Sequence, residues 1–242
     1  MRPRRPGLLV GVALGFVVVF GGLAAAWAGG LILHDTSRPA SVDEALARFR
    51  ASDPRPGVVD GVYLYSTVGS ESVDALGGAR HVYPPTTTVT AIARSCGVQL
   101  RWESLEDRST TWLLCGPRLD LRTSEEVHRF FGQRDRTAYR CEGSVLRPSA
   151  PASSFRCRSG SGLEKGRLIV VGTEAGALHI RTTGHVSAGD RGTEIVDWWL
   201  APGSAIPTRI VLTSRTSRKV FLGRVHYREG VDLRLRSATP LR

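Results

Sequence analysis

The sequence predicts a mainly β protein of the α+β kind: an N-terminal transmembrane helix, then a curved antiparallel sheet or half-barrel with one or two short helices. Three observations point there. From Gly61 onward, short segments rich in β-branched and aromatic residues alternate with Gly, Pro and Ser clusters. Before them, no residue from Gly7 to Leu33 is charged. Finally, Cys96, Cys115, Cys141 and Cys157 all fall in the strand-rich part and are even in number.

The apolar run comes first. At about 1.5 Å per residue it is long enough to cross a hydrocarbon core about 30 Å thick. Arg2, Arg4 and Arg5 precede it with no acid among them. That asymmetry predicts a cytoplasmic N-terminus and an extracytoplasmic C-terminal domain in a single-pass protein of the cytoplasmic membrane. Ala26-Trp27-Ala28 has the small-x-small form of a signal-peptidase site, so secretion after cleavage near Ala28 is the alternative. The run continues past that site to Leu33, which favours a retained anchor. The chain then divides into a cytoplasmic tip and anchor (1–34), a linker with a short helix (35–57) and an extracytoplasmic β-rich domain (58–242).

Outside the membrane the thiols are expected to oxidise. Three pairings of four cysteines are possible. Cys96–Cys115 with Cys141–Cys157 is favoured, because each pair brackets a segment that reads as a hairpin. No C-x2-C spacing occurs, so no metal is expected.

Ser41 followed by Glu44 is a capping-box pattern opening a short helix with Val42, Leu46 and Phe49 on one face. Pro54 and Pro56 stop it. Strands are expected at 62–67, 86–93, 98–103, 110–115, 137–141, 154–158, 167–173, 178–183, 194–200, 208–214, 222–228 and 231–236. Glu106-Asp107 reads as a hairpin turn and Pro148–Ser154 as a loop. A second helix is expected from Ser124 towards Gly132, with Ser124 as its cap. At the C-terminal end, Arg228-Glu229-Gly230 reads as a three-residue hairpin loop with Gly230 left-handed. That register puts Val225, Tyr227, Val231 and Leu233 on one apolar face. Arg224, His226, Asp232 and Arg234 take the other, with Arg224 opposite Arg234.

The stretch Val73-Asp-Ala-Leu-Gly-Gly-Ala-Arg-His-Val-Tyr-Pro-Pro-Thr-Thr-Thr-Val-Thr, with Cys96-Gly-Val-Gln-Leu-Arg-Trp, Glu106-Asp-Arg and Thr111-Trp-Leu-Leu-Cys, resembles uncharacterised membrane-anchored actinobacterial envelope proteins. Asp197-Trp-Trp-Leu-Ala-Pro-Gly, Ile206-Pro-Thr-Arg, Val225-His-Tyr-Arg-Glu and Leu233-Arg-Leu-Arg-Ser-Ala-Thr-Pro resemble, more loosely, the lipoprotein carriers of the LolA, LppX and LprG type. The second resemblance implies a half-barrel that holds acyl chains. The lipid-bearing cysteine of the lipoprotein members is absent here.

Net charge is +11. Lysine occurs only at Lys165 and Lys219 and asparagine nowhere, an arginine-rich bias that GC-rich coding sequence produces on its own. The positive balance also suits an anionic surface. Nucleic acid is not expected as a partner of an exported domain. No G-x-S-x-G elbow and no phosphate loop occurs, Gly160-Ser-Gly lacking the Lys-Ser/Thr that follows in one. No catalytic residue, enzyme activity or cofactor is therefore expected. The candidate ligand-binding residues are Trp198, Trp199, Trp102 and Tyr227; adjacent on a strand, Trp198 and Trp199 must face opposite sides. The candidate basic face is Arg209, Arg215, Arg218, Lys219, Arg224, Arg234 and Arg236. The reading is a tethered, non-enzymatic binding module holding an apolar or lipid-like ligand in a curved sheet. The alternative is an envelope interaction protein that binds a partner protein or anionic wall polymer through its basic face.

Overall fold

The computed structural model describes residues 37–52, 59–74, 78–116, 120–130, 133–142, 152–158, 163–174, 176–186, 190–220 and 223–242. The expected anchor, the cleavage site, the Gly160 loop and the Pro148–Pro151 part of the expected loop lie outside the described residues. Among the described residues no helix is long and apolar enough to cross a membrane.

Among the described residues one helix, α1 (Val42–Ala51), precedes β1 (Gly61–Val73), β2 (Ala79–Val82), β3 (Thr86–Arg94), β4 (Gly97–Leu105), β5 (Arg108–Cys115), β6 (Asp120–Phe130) and β7 (Gln133–Glu142). Then follow β8 (Ala152–Arg158), β9 (Leu163–Glu174), β10 (Ala177–Val186), β11 (Asp190–Leu200), β12 (Pro207–Val220) and β13 (Gly223–Leu235). The strands form one curled antiparallel half-barrel sheet in which sequence neighbours, β2 and β3 excepted, are also spatial neighbours. Its two ends meet, because Tyr65–Val73 of β1 pairs with Tyr227–Leu235 of β13. β1 is shared. Gly61–Ser66 pairs with β3 on its other edge, and Ser70–Val73 pairs with β2.

Closure by a long β1 requires close backbone approach at the seam. Gly69 lies opposite Val231, and a Cβ added there would overlap the Gly230 carbonyl oxygen. Only glycine fits such a contact.

α1 forms as its sequence dictates. Ser41 Oγ accepts from the Glu44 amide at 3.1 Å, and Glu44 returns a bond to the Ser41 amide at 3.2 Å. Its Ala45 and Phe49 bury against Val62, with Leu46 and Ile92 packing at the margin. The helix lies on the outside of the sheet. The main core is inside, with Tyr65, Leu100, Trp102, Trp112, Ile210, Leu212 and Leu233 fully buried in one cluster.

Both disulfides pair as expected, Cys96–Cys115 and Cys141–Cys157. The first ties the turn before β4 to the end of β5, and the second ties β7 to β8. Among the described residues those two strands share three paired positions, and the disulfide joins the middle one. The Glu106-Asp107 turn also forms as expected, between β4 and β5.

Three expectations are corrected. Residues 152–154, the described part of the expected loop, are the start of β8, paired with β9. The segment from Ser124 is not a second helix but the middle of β6, with Ser124 opposite Trp112 and Glu126 opposite Thr110. Its helical signals yield to the sheet: with period 2, Ser124, Glu126 and His128 all turn inward. The hairpin at Arg228–Gly230 does not form either. β13 runs straight through it, and Arg224 faces Lys219 rather than Arg234. Glu229, expected in the loop, points into the interior and is buried. The expected faces nonetheless survive. Val225, Tyr227, Val231 and Leu233 are all odd-numbered, so a straight strand puts them on one side just as the hairpin would.

Candidate functional site

The inward face changes character along the strands. At the end where β12 begins and β13 finishes it is aromatic and aliphatic. Trp112 meets Trp198 edge to face at 4.9 Å there, whereas Trp102, opposite Thr110 and nearer the rim, meets Tyr83 edge to face at 5.2 Å. One step along, Thr110, Ser124 and Ser214 are buried. At the opposite end, the rim, where β13 begins and β1 finishes, the same inward positions carry ionisable groups. The sequence alternates in register to make this happen: Arg108, Thr110 and Trp112 lie on one face of β5, and Tyr227, Glu229, Val231 and Leu233 on one face of β13.

Arg108 is the hub. It is 2% exposed and reaches across the interior from β5 to the β1–β13 seam. Its Nε donates to Glu71 Oε2 at 3.0 Å, and its Nη2 donates to both carboxylate oxygens of Glu229, at 2.9 and 2.8 Å. Its Nη1 donates to Thr110 Oγ1 at 2.9 Å, and its charge lies 5.7 Å from the Trp102 ring centre. Glu71 and Glu229 stand opposite each other in the register. Two like charges so placed repel unless a cation lies between them, and Arg108 supplies it.

Hydroxyls and imidazoles complete the cluster. Tyr227 Oη lies 2.8 Å from Glu71 Oε2 and 2.8 Å from Glu229 Oε2, and Tyr83 Oη donates to Glu229 at 2.6 Å. His81 Nδ1 is 2.8 Å from Glu71 Oε1. His128 stands edge-on to Tyr227 at 5.1 Å, with Nε2 3.3 Å from Glu126 Oε2 and Nδ1 3.6 Å from Glu71 Oε2. The His128 and Glu126 side chains are 18% and 21% exposed, whereas that of Glu71 has no exposure. The site thus has a closed back and an accessible front.

Ionisation follows from these contacts. Burial alone would raise Glu71, but the Arg108 charge and the His128 and His81 rings overcome it and hold the carboxyl well below its ordinary range. Burial likewise works against Glu126, yet His128 beside it, with Glu194, brings it down to about 2. His128 feels burial and the repulsion of Arg108, both lowering it; Glu126 and Glu71 outweigh them and raise it above its ordinary value. Burial and the Glu229 charge push the Tyr83 and Tyr227 hydroxyls far up, so both remain donors. The rim therefore holds carboxylates and a guanidinium beside a His128 ring whose protonated form is favoured, all in a shielded place. Such a set can grip a ligand carrying both polarities or a strong hydrogen-bonding head. Among the described residues no group of histidines and acids is arranged to hold a metal ion.

Of the candidate ligand residues, Trp102, Trp198 and Tyr227 face this interior. Trp102 is buried with its indole N–H donating to Thr87 Oγ1 at 3.0 Å, and Tyr227 sits at the rim. Trp199 is on the outer face. The His179 ring stacks on it at 4.1 Å and 14°, and Arg209 lies 4.7 Å over it. His179 comes from β10 and Arg209 from β12, so the indole is covered on both sides by its neighbours in the sheet.

The basic residues separate into groups. Arg209 forms a two-pronged bond with Asp232, at 2.9 and 2.8 Å, and Arg234 shares that carboxylate at 3.1 Å. Arg215, Lys219 and Arg224 are exposed on the outer face towards the rim. Arg215 lies opposite Arg228 there, and Lys219 opposite Arg224. Arg218 alternates onto the other side of β12, near the end of that strand and exposed. Arg236 follows β13 and bonds Thr86 Oγ1 at 3.2 Å.

Sequence reasoning missed Arg108, Glu71, Glu229, Glu126 and His128. Their signal was an acid or arginine interrupting an otherwise inward-facing alternation, as Glu229 does between Tyr227 and Val231. No family model, curated protein or solved structure matches the chain.

Proposed function

We propose that the protein is a membrane-tethered, extracytoplasmic binding module without enzymatic activity. It takes an apolar or lipid-like ligand with a polar head at the open end of its curled sheet. The residues from Gly7 to Leu33 form the anchor in this reading, and the two disulfides agree with an oxidising compartment. One observation carries the assignment: ionisable groups converge inside the sheet at the rim, directly beyond an aromatic floor. Burying Glu71, Arg108 and Glu229 costs desolvation that an apolar core of equal volume would avoid. A polar cluster with an accessible front, next to apolar walls, is how ligand sites orient an amphiphile.

Native mass spectrometry of the full-length chain, released from mild detergent after purification from its own envelope, tests this. The expected result is a reproducible extra mass that organic extraction removes, reduced in occupancy by His128→Ala. A bare protein mass under conditions that keep other lipid carriers loaded would overturn the proposal.

A further inference from the structure

The outside of the rim differs from the inside. Arg80 on β2, Arg191 on β11, Arg215 and Lys219 on β12, and Arg224 and Arg228 on β13 are all exposed there. Two of the cross-strand pairs, Arg215–Arg228 and Lys219–Arg224, are cation against cation. Directly opposed like charges destabilise a sheet, so an external anion is the natural complement. One acid beside them, Asp74, is taken by His226, whose amide and Nδ1 it bonds at 2.6 and 2.7 Å. Val82, on the same outer face of β2 as Arg80, is 68% exposed. A bare apolar side chain next to a cation is the composition of a surface that meets lipid headgroups.

The path of the chain fixes the direction this collar faces. Only His34, Asp35 and Thr36 separate the apolar run from Ser37. The next residues are pinned at the β4–β5 turn. Pro39 bridges to Leu105, the Glu106 amide donates to the Arg38 carbonyl at 2.9 Å, and the Arg38 guanidinium holds the Glu106 carboxylate at 2.6 Å. That turn leads at once into Arg108, whose side chain touches Glu229; the neighbour of Glu229, Arg228, belongs to the collar. The tether thus enters at the rim and not at the opposite end.

We infer that the rim seats on the anionic phospholipid surface of the anchoring membrane, so that the mouth of the sheet opens towards the bilayer. This rests on the anchor reading above. A ligand would then pass between bilayer and mouth without crossing bulk water.

The test uses the full-length chain in lipid nanodiscs of phosphatidylcholine alone or mixed with phosphatidylglycerol, read by backbone hydrogen exchange. Exchange around the β12–β13 connection should slow on the order of tenfold in the anionic discs. The slowing should vanish in 1 M salt, where the screening length falls to about 3 Å, and in the double variant Arg215→Glu with Arg228→Glu. The turn between β11 and β12, at the other end, serves as the control and should not change. Equal exchange in both disc types overturns the seat while leaving the tether intact. Slowing produced by a soluble anionic polymer on phosphatidylcholine discs, but not by anionic lipid, overturns it in favour of a wall-polymer partner. Failure of the chain to remain in phosphatidylcholine discs overturns the anchor itself, and the seat with it.

Discussion

Glu71 and Glu229 stand directly opposite each other across the β1–β13 seam, and a single guanidinium, that of Arg108, holds both. The seam and the candidate site are therefore one construction. What closes the sheet at the rim is also what a ligand would meet.

Removing the hub should be severe. Arg108→Met leaves two buried carboxylates without their cation, and breaking a buried ion pair from one side costs about 3–5 kcal/mol. Urea denaturation followed by far-ultraviolet circular dichroism measures this. Adding Glu71→Gln and Glu229→Gln to the Met variant should restore part of the loss, because no uncompensated charge then remains. A single Met substitution that leaves the midpoint unmoved would contradict the hub assignment.

Stability should fall on both sides of a plateau in pH. His128 is raised in the folded state above its ordinary 6.5, so its contribution is complete below about 6.5 and lost as pH rises through the folded value. Glu71 and Glu126 are lowered, so their contributions are present above the ordinary 4.5 and lost as pH falls below it, for Glu126 down to about 2. Thermal melts across this range should show both limbs. His128→Gln should flatten the alkaline limb and shrink the Glu126 part of the acid one, leaving the Glu71 part that Arg108 supports, and a profile unchanged by that substitution would refute the assignment to His128.

Two glycines close to each other at the seam should behave oppositely. A methyl group at Gly69 would overlap the Gly230 carbonyl oxygen, whereas one at Gly230 meets nothing within 4 Å. Gly69→Ala should destabilise by about 1–3 kcal/mol, as overpacking does, and Gly230→Ala should be near neutral. Chemical denaturation of the pair checks the β1–β13 pairing, since an open sheet would tolerate both.

Adjacent tryptophans should separate just as clearly. Trp198→Ala opens a hole against Trp112 in the core, a change of about 3–5 kcal/mol. Trp199→Ala removes outer-face stacking between His179 and Arg209, which is worth about 1 kcal/mol. Denaturation midpoints that rank them the other way would reverse the inward and outward faces of β11.

Much of this architecture was legible from residue types alone. Capping at Ser41 and Glu44 is local chemistry, and it forms as written. The cysteine pairs follow the hairpins that bracket them. Alternation in β13 assigned the inner face correctly despite a hairpin that does not exist, because parity survives that error. What stayed hidden depends on partners far away in sequence. Nothing near Ser124 reveals that Trp112 lies across from it, so its local helix signals prevailed in the reading. Nor does anything near Glu229 reveal Arg108. An acid beside a glycine reads as a turn until a buried cation on another strand draws it inward. β2 is four residues long and pairs only with β1, and it was too short to register.

The meeting of β1 with β13 has a consequence in time. All other sheet neighbours except β1 and β3 are consecutive in the chain and can zip up as they appear, but this contact must wait for nearly the whole polypeptide. Such distant pairing is slow. Until it forms, two long strand edges stay bare and able to join other chains. The same order of events makes the final strand the point at which a truncated or stalled chain becomes hazardous.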